Sequence, residues 1–122
     1  MNWSAIAAVF LALAVGLGAF GAHGLRARLD ASHLDIYKTA VLYHFLHALG
    51  MLIVATLPKA GTVSPESANS VCWLLAAGIL IFSGSLYLLA VTGVSTLGAI
   101  TPFGGVAFIV AWLLLAWKLV RR

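Results

Sequence analysis

Three long stretches of this chain contain no charged residue, and they constrain its fold more than any other feature. Asp, Glu, Lys and Arg are absent from residues 1–25, 39–58 and 67–117. A helix needs about 20 apolar residues to cross the hydrocarbon core of a bilayer, so the three stretches hold one, one and two crossings. A hydrophobic share of 63% also exceeds the share of roughly half that is typical of a soluble domain.

The pattern predicts an all-α fold, an antiparallel four-helix transmembrane bundle. One integral membrane domain is expected to occupy residues 1–122. The predicted helices cover residues 3–24, 33–57, 70–92 and 102–119.

Local signals predict where these helices begin and end. Ser32 and Asp35 resemble a capping box before the second helix. Pro58 marks its predicted exit, and the polar residues 58–69 are typical of a surface loop. Thr101 followed by Pro102 fits an N-cap and a first helical position.

Helix 1 concentrates small residues on one face, which predicts close contact with another helix. At 100° per residue they lie within roughly 80° of one another; they are Ala5, Ala8, Ala12, Gly16 and Ala19. The same face continues to His23, which we expect at the end of that contact. The Ala/Gly faces of helices 1, 3 and 4 are predicted to pack around the polar face of helix 2.

The second helix places three polar side chains on one face at membrane depth. Tyr37, His44 and His47 fall within roughly a 100° arc. Ionisable groups inside a membrane usually face a protein interior or a water-filled cavity. Together with His23 from helix 1, they are the candidate ligand-binding residues of a polar pocket.

Three interpretations of these histidines are open from the sequence. They form hydrogen bonds between helices, they line a cavity for a small ligand, a proton or water, or they bind a metal ion or haem. The H-x-x-H spacing of His44 and His47 puts two imidazoles on adjacent turns, and His23 would have to complete a metal site. No carboxylate lies within a membrane segment, which argues against a carboxylate-rich metal site, and a tight bundle leaves little room for the haem macrocycle. The sequence therefore identifies no metal ion and no cofactor.

Motifs of the common enzyme classes are missing. The sequence has no GxSxG, no phosphate loop, no HExxH and no buried acid beside a Ser/His pair. We therefore expect no catalytic residues and no enzymatic activity.

The seven basic residues set the expected topology. Lys59, Lys118, Arg121 and Arg122 lie on the side of the termini, and Arg26, Arg28 and Lys38 lie opposite. The positive-inside rule then favours cytoplasmic termini. Because the charges are dispersed among membrane helices, we expect the lipid bilayer as a partner and no nucleic acid.

Four sequence stretches together resemble one known family. They are GAFGAHGL (18–25), YHFLHALG (43–50), FSGSLYLLAVTG (82–93) and ITPFGG (100–105). They resemble the signature stretches of the YgdD-like small membrane proteins, a group of unknown function that includes transmembrane-protein-256-type members. The resemblance implies a four-helix protein of the bacterial inner membrane and brings no activity with it.

Two hypotheses of function follow, with a third of lesser weight. The first is a binding or permeation module with a polar pocket lined by His23, Tyr37, His44 and His47. The second is a structural or accessory subunit that packs against another membrane protein or a second copy of itself. The third is a membrane protein that binds haem or a metal ion.

Overall fold

Four long helices form the architecture of the chain. A computed structural model describes residues 1–121, with helices α1 (Trp3–Leu25), α2 (Ala31–Ala60), α3 (Pro65–Thr92) and α4 (Thr101–Val120). A short 3-10 helix (Ser95–Ala99) leads into α4. All four spans are long and apolar enough to cross a membrane. The predicted all-α, four-helix transmembrane fold is confirmed; Arg122, which entered the topology argument, lies outside the described residues.

Asp30 caps the start of α2, so the prediction of a Ser32 and Asp35 capping box was wrong. The helix begins at Ala31, which places Ser32 already inside it. The Asp30 carboxylate accepts hydrogen bonds from the backbone N–H and from the ring Nδ1 of His33, each at 2.8 Å. These bonds favour the charged form and hold the pKa of Asp30 below its ordinary value.

The loop between α2 and α3 is shorter than the predicted residues 58–69. Helix α2 continues through Pro58, and Gly61 closes it with a φ of 76°, a left-handed conformation that glycine adopts readily. Helix α3 begins at Pro65, after a Ser64 hydroxyl that accepts the Ser67 N–H at 3.1 Å. Proline in the first turn of a helix loses no intrahelical hydrogen bond, so α3 starts earlier than the predicted residue 70.

Thr101 begins α4 but does not cap it, which corrects the predicted N-cap. The N-cap position belongs to Ile100, which makes no side-chain hydrogen bond there. The Thr101 hydroxyl instead lies 2.6 Å from the hydroxyl of Ser85 on α3. It joins two helices.

The helices pack in two pairs that meet along α2 and α3. Helix α1 contacts mainly α2, helix α4 contacts mainly α3, and α2 also contacts α3. Fully buried apolar side chains fill the half of the bundle nearer the chain termini; they include Met51, Val54, Val71 and Leu75. Trp3 ties α1 to this half, because its indole N–H donates to Asn69 Oδ1 at 2.8 Å.

The small-residue face predicted for helix 1 does not make the helix contact. All five of its residues are exposed: Ala5, Ala8, Ala12, Gly16 and Ala19. The buried face carries Trp3, Ala7 and Ala14. Helix α1 thus has two faces with small residues, and the bundle uses the one that also offers a tryptophan with a hydrogen-bond partner.

Gly104 lets α4 approach the backbone of α3. A Cβ at this position would overlap the backbone nitrogen of Phe82 and lie 2.7 Å from its Cα. Phe82 belongs to a π-helical segment of α3 (Ile79–Ser83). The neighbouring Gly105 has room, since its Cβ would lie 3.8 Å from the Phe82 ring.

We therefore expect Gly104→Ala to destabilise the bundle by roughly 1–3 kcal/mol, because backbone atoms of α3 must shift to admit the methyl group. Gly105→Ala is the matched control, and it should be neutral or stabilising by up to about 1 kcal/mol through helix propensity. Unfolding of both variants in mixed micelles measures the difference. Equal stabilities would contradict the close approach.

Candidate functional site

The three polar residues predicted on one face of α2 are buried. Tyr37, His44 and His47 are 2%, 3% and 8% exposed. His23, the fourth candidate, is exposed in the π-helical last turn of α1 (Gly21–Leu25). It lies apart from the other three, because the face of α1 that carries it is not the face that packs on α2.

Tyr37 connects α2 to the end of α1. Its hydroxyl donates a hydrogen bond to the Leu17 carbonyl at 2.5 Å. Gly21 makes room for the ring, since a Cβ there would lie 2.8 Å from Tyr37 Cδ1. The ring centroid of Tyr87, on α3, is 5.3 Å away.

His44, near the midpoint of α2, pairs with Tyr87 of α3. Its Nδ1 lies 2.8 Å from the Tyr87 hydroxyl. No other acceptor in residues 1–121 takes the Tyr87 proton, so we assign Tyr87 as the donor and His44 as the neutral tautomer with its proton on Nε2.

The Nε2–H of His44 has no hydrogen-bond partner. It is the one buried side-chain nitrogen or oxygen in residues 1–121 that lacks one. The Phe10 carbonyl of α1 is close to the imidazole, but it does not have the geometry of a hydrogen-bond acceptor for Nε2. The Phe10 ring meets the imidazole edge-on, with 6.2 Å between centroids and 84° between planes.

His47 makes different contacts from His44. Its Nδ1 donates to the Tyr43 carbonyl one turn earlier in α2, at 2.8 Å. Its ring stacks on Phe108 of α4, with centroids 3.6 Å apart and 14° between the planes. The two histidines thus contact different neighbours, His44 the helices α1 and α3, and His47 the helix α4.

Sequence reasoning did not assign two residues of α3 to this region. Tyr87 binds His44, and the Ser83 hydroxyl donates to the Ala40 carbonyl of α2 at 2.8 Å with no exposure of Ser83. Tyr87 and Ser83 lie on α3, whereas the groups that they bind, the His44 ring and the Ala40 carbonyl, lie on α2. The periodicity of α2 shows which of its own residues share a face, but not which residues of another helix they contact. The structure therefore forms a cluster of Tyr37, His44 and Tyr87, which we call the polar cluster.

The residues that could hold a metal do not converge. Within residues 1–121, no group of three or more His, Cys, Asp or Glu side chains has a geometry that could bind a metal ion. The best-formed clefts in residues 1–121 lie at the surface, and neither His44 nor His47 lines them. Tyr37 lines one of these clefts, an apolar cleft of about 290 Å³ between α1 and α2.

Comparison with known proteins finds similar membrane proteins. Residues 17–105 match a family described as protein of unknown function (DUF423). The UPF0382 membrane protein YwdK of Bacillus subtilis is 49% identical over 118 residues, 95% of this chain and 94% of that protein. The UPF0382 membrane protein SSP2132 of Staphylococcus saprophyticus is 52% identical over 84% of this chain and 83% of its own length. No solved structure matches the chain.

We expect the hydrogen bond between His44 and Tyr87 to be measurable by a double-mutant cycle. Tyr87→Phe and His44→Phe should each lower the free energy of unfolding, and the double variant should lower it by less than the sum of the two. We expect a coupling free energy of about 0.6 kcal/mol and at most about 1.7 kcal/mol, as for side-chain hydrogen bonds in other membrane helices. Tyr43→Phe is the control, because the Tyr43 hydroxyl makes no hydrogen bond in residues 1–121. Additive losses for the first pair would contradict the assigned bond.

Proposed function

This chain belongs to the DUF423 family of proteins of unknown function. The names of the two relatives given above call them membrane proteins and state no activity, so we propose a function from the geometry of the polar cluster. We propose that it is a multi-pass membrane module, without catalytic activity, that binds a small molecule at His44. The unpartnered Nε2–H of the buried His44 is the observation on which this proposal rests.

The chemistry of that nitrogen defines the ligand class. A buried donor without a partner costs roughly 1–3 kcal/mol, and at bilayer depth no bulk water compensates for it. A ligand with a carbonyl or other acceptor oxygen would recover this free energy. Tyr87 supports such binding, since its bond to Nδ1 fixes the proton on Nε2.

Phe10 lies between His44 and the surface of α1, so a ligand that came from the bilayer would pass this side chain. Its ring covers the imidazole edge-on and is itself partly exposed on the surface of α1. We infer that displacement of this side chain opens His44 sideways to the bilayer. The ligand we propose is therefore a membrane-soluble molecule that carries an acceptor oxygen.

The interior beyond the histidines supports binding rather than permeation. Met51, Val54 and Leu75 are almost completely buried and apolar in the half of the bundle nearer the termini. A polar molecule that crossed the membrane would have to pass these side chains. Of the pocket residues predicted from the sequence, we assign His44 to ligand contact and Tyr37 to the support of Tyr87, and we leave His23 and His47 out.

The setting of this module is also a proposal. We place residues 1–122 as one domain in the cell inner (plasma) membrane, with both termini in the cytoplasm. The support is the excess of Lys and Arg on the terminal side, four against three.

A second candidate function is that of a subunit that packs against a second copy of this chain. The observation that favours it is the exposed small-residue face of α1, where a Cβ added at Gly16 would have no neighbouring atom within 4 Å. Faces of this kind allow close approach of two membrane helices.

The binding proposal is tested with two probes that differ only in an acceptor oxygen. We expect acetophenone, but not ethylbenzene, to shift the ¹⁵N resonance of His44 Nε2 in the purified protein. His44→Phe should weaken acetophenone binding about fivefold, the loss expected for one hydrogen bond of about 1 kcal/mol. Phe10→Ala should speed acetophenone association by opening the route, whereas Leu13→Ala, on an exposed part of α1, should leave the association rate unchanged.

Equal binding of the two probes, or unchanged acetophenone binding in His44→Phe, would contradict the proposal. Thermal unfolding of each variant shows whether the fold is retained. Tyr43→Phe serves as a further control, since it alters a ring of the same helix outside the polar cluster.

Self-association is tested by disulfide trapping in membranes. In a Cys72→Ala background, which removes the one cysteine of the chain, we expect Ala12→Cys to form disulfide-linked dimers. Leu13→Cys, the next residue and also exposed, should form far fewer because it points about 100° away. Equal trapping at both positions would rule out the small-residue face as the contact.

A further inference from the structure

A polar cleft at the terminal end of the bundle has the chemistry of an anion site. The cleft has a volume of about 380 Å³. One wall is formed by residues 61–64 and by Ser67 of α3, and the other by Trp117, Lys118 and Arg121 at the end of α4. It lies at the opposite end of α2 from Tyr37.

Two cations lie in this cleft without a counterion. Lys118 Nζ and Arg121 Cζ are 5.1 Å and 4.8 Å from the centroid of the Trp117 ring. No acidic residue lines the cleft, and within residues 1–121 the single ion pair is the one between His33 and Asp30. Both cations contact the same indole ring and no carboxylate lines the cleft, so the cleft carries an uncompensated positive charge that favours an anion.

The opposite wall of the cleft offers a free hydroxyl proton. The Ser64 hydroxyl donates to Ser67 Oγ at 3.0 Å and accepts the Ser67 N–H at 3.1 Å. Ser67 Oγ is thus an acceptor in this pair, and its own proton has no acceptor in residues 1–121. An ammonium, a guanidinium and a hydroxyl donor around one cleft match the oxygens of a phosphate group.

We propose that this cleft binds the phosphate of an anionic phospholipid headgroup. Lys118 lies in the last turn of a membrane-spanning helix and Trp117 beside it is half exposed, which places the cleft at the level where tryptophan and headgroups meet. At that level lipid phosphates are abundant, and basic pockets between membrane helices select anionic headgroups. The site is independent of the polar cluster and of what binds there.

The test compares lipid selection by charge variants of the full chain. The protein is equilibrated in mixed micelles of phosphatidylglycerol and phosphatidylcholine, and native mass spectrometry measures the ratio of the two lipids that stay bound. We expect the wild type to prefer phosphatidylglycerol, because the choline cation of phosphatidylcholine offsets its phosphate and is repelled by Lys118 and Arg121. Each of Lys118→Gln and Arg121→Gln should reduce this preference about fivefold. Lys118→Arg should retain it.

Lys59→Gln is the matched control, because it removes one positive charge at the same end of the bundle but from a different cleft. An equal loss of preference in Lys59→Gln would show diffuse charge attraction and overturn the site. Unchanged preference in the Lys118→Gln/Arg121→Gln double variant would overturn it as well. Displacement of phosphatidylglycerol by inorganic phosphate at equal concentration would show a site for free anions and overturn the assignment to a lipid.

Discussion

A polar group at bilayer depth has no water to bind, so its hydrogen bonds must be made inside the protein. This constraint explains why the polar face of α2 is buried against its neighbours. Tyr37, His44 and Ser83 each lie at a contact between helices and each form a hydrogen bond across it, to Leu17, Tyr87 and Ala40. Two of these three bonds end on backbone carbonyls. The polar side chains therefore help to fix the relative positions of α1, α2 and α3, in addition to the apolar packing.

Glycines determine how closely the helices approach around this polar region. Gly21 leaves space for the Tyr37 ring, and Gly104 brings α4 onto the backbone of α3 at Phe82. Each of these contacts involves a π-helical segment, Gly21–Leu25 in α1 or Ile79–Ser83 in α3. Segments of this kind are often found at functional sites, and here Ile79–Ser83 also carries the serine that binds Ala40.

The bundle is divided along its axis into two halves of different chemistry. The half nearer the first connection contains the polar cluster, in which His44 Nε2 is buried without a hydrogen-bond partner. The half nearer the termini has an apolar interior around Met51 and Leu75, and its polar groups lie at the rim, beside Lys118 and Arg121. The proposed ligand and the proposed lipid would thus bind at separate places, one by a single hydrogen bond in the interior and the other by charge at the surface.

The sequence by itself determined the number of crossings and the buried face of α2. Charged residues are costly inside a bilayer, so the stretches without them mark the crossings. Tyr37, His44 and His47 share one face because of their spacing along a single helix. The tertiary structure decided what these residues contact. It separated His44 from His47, left His23 at the surface, and turned the other small-residue face of α1 inward. These outcomes depend on the rotation and shift of each helix against its neighbours, and no periodicity within a single helix encodes either.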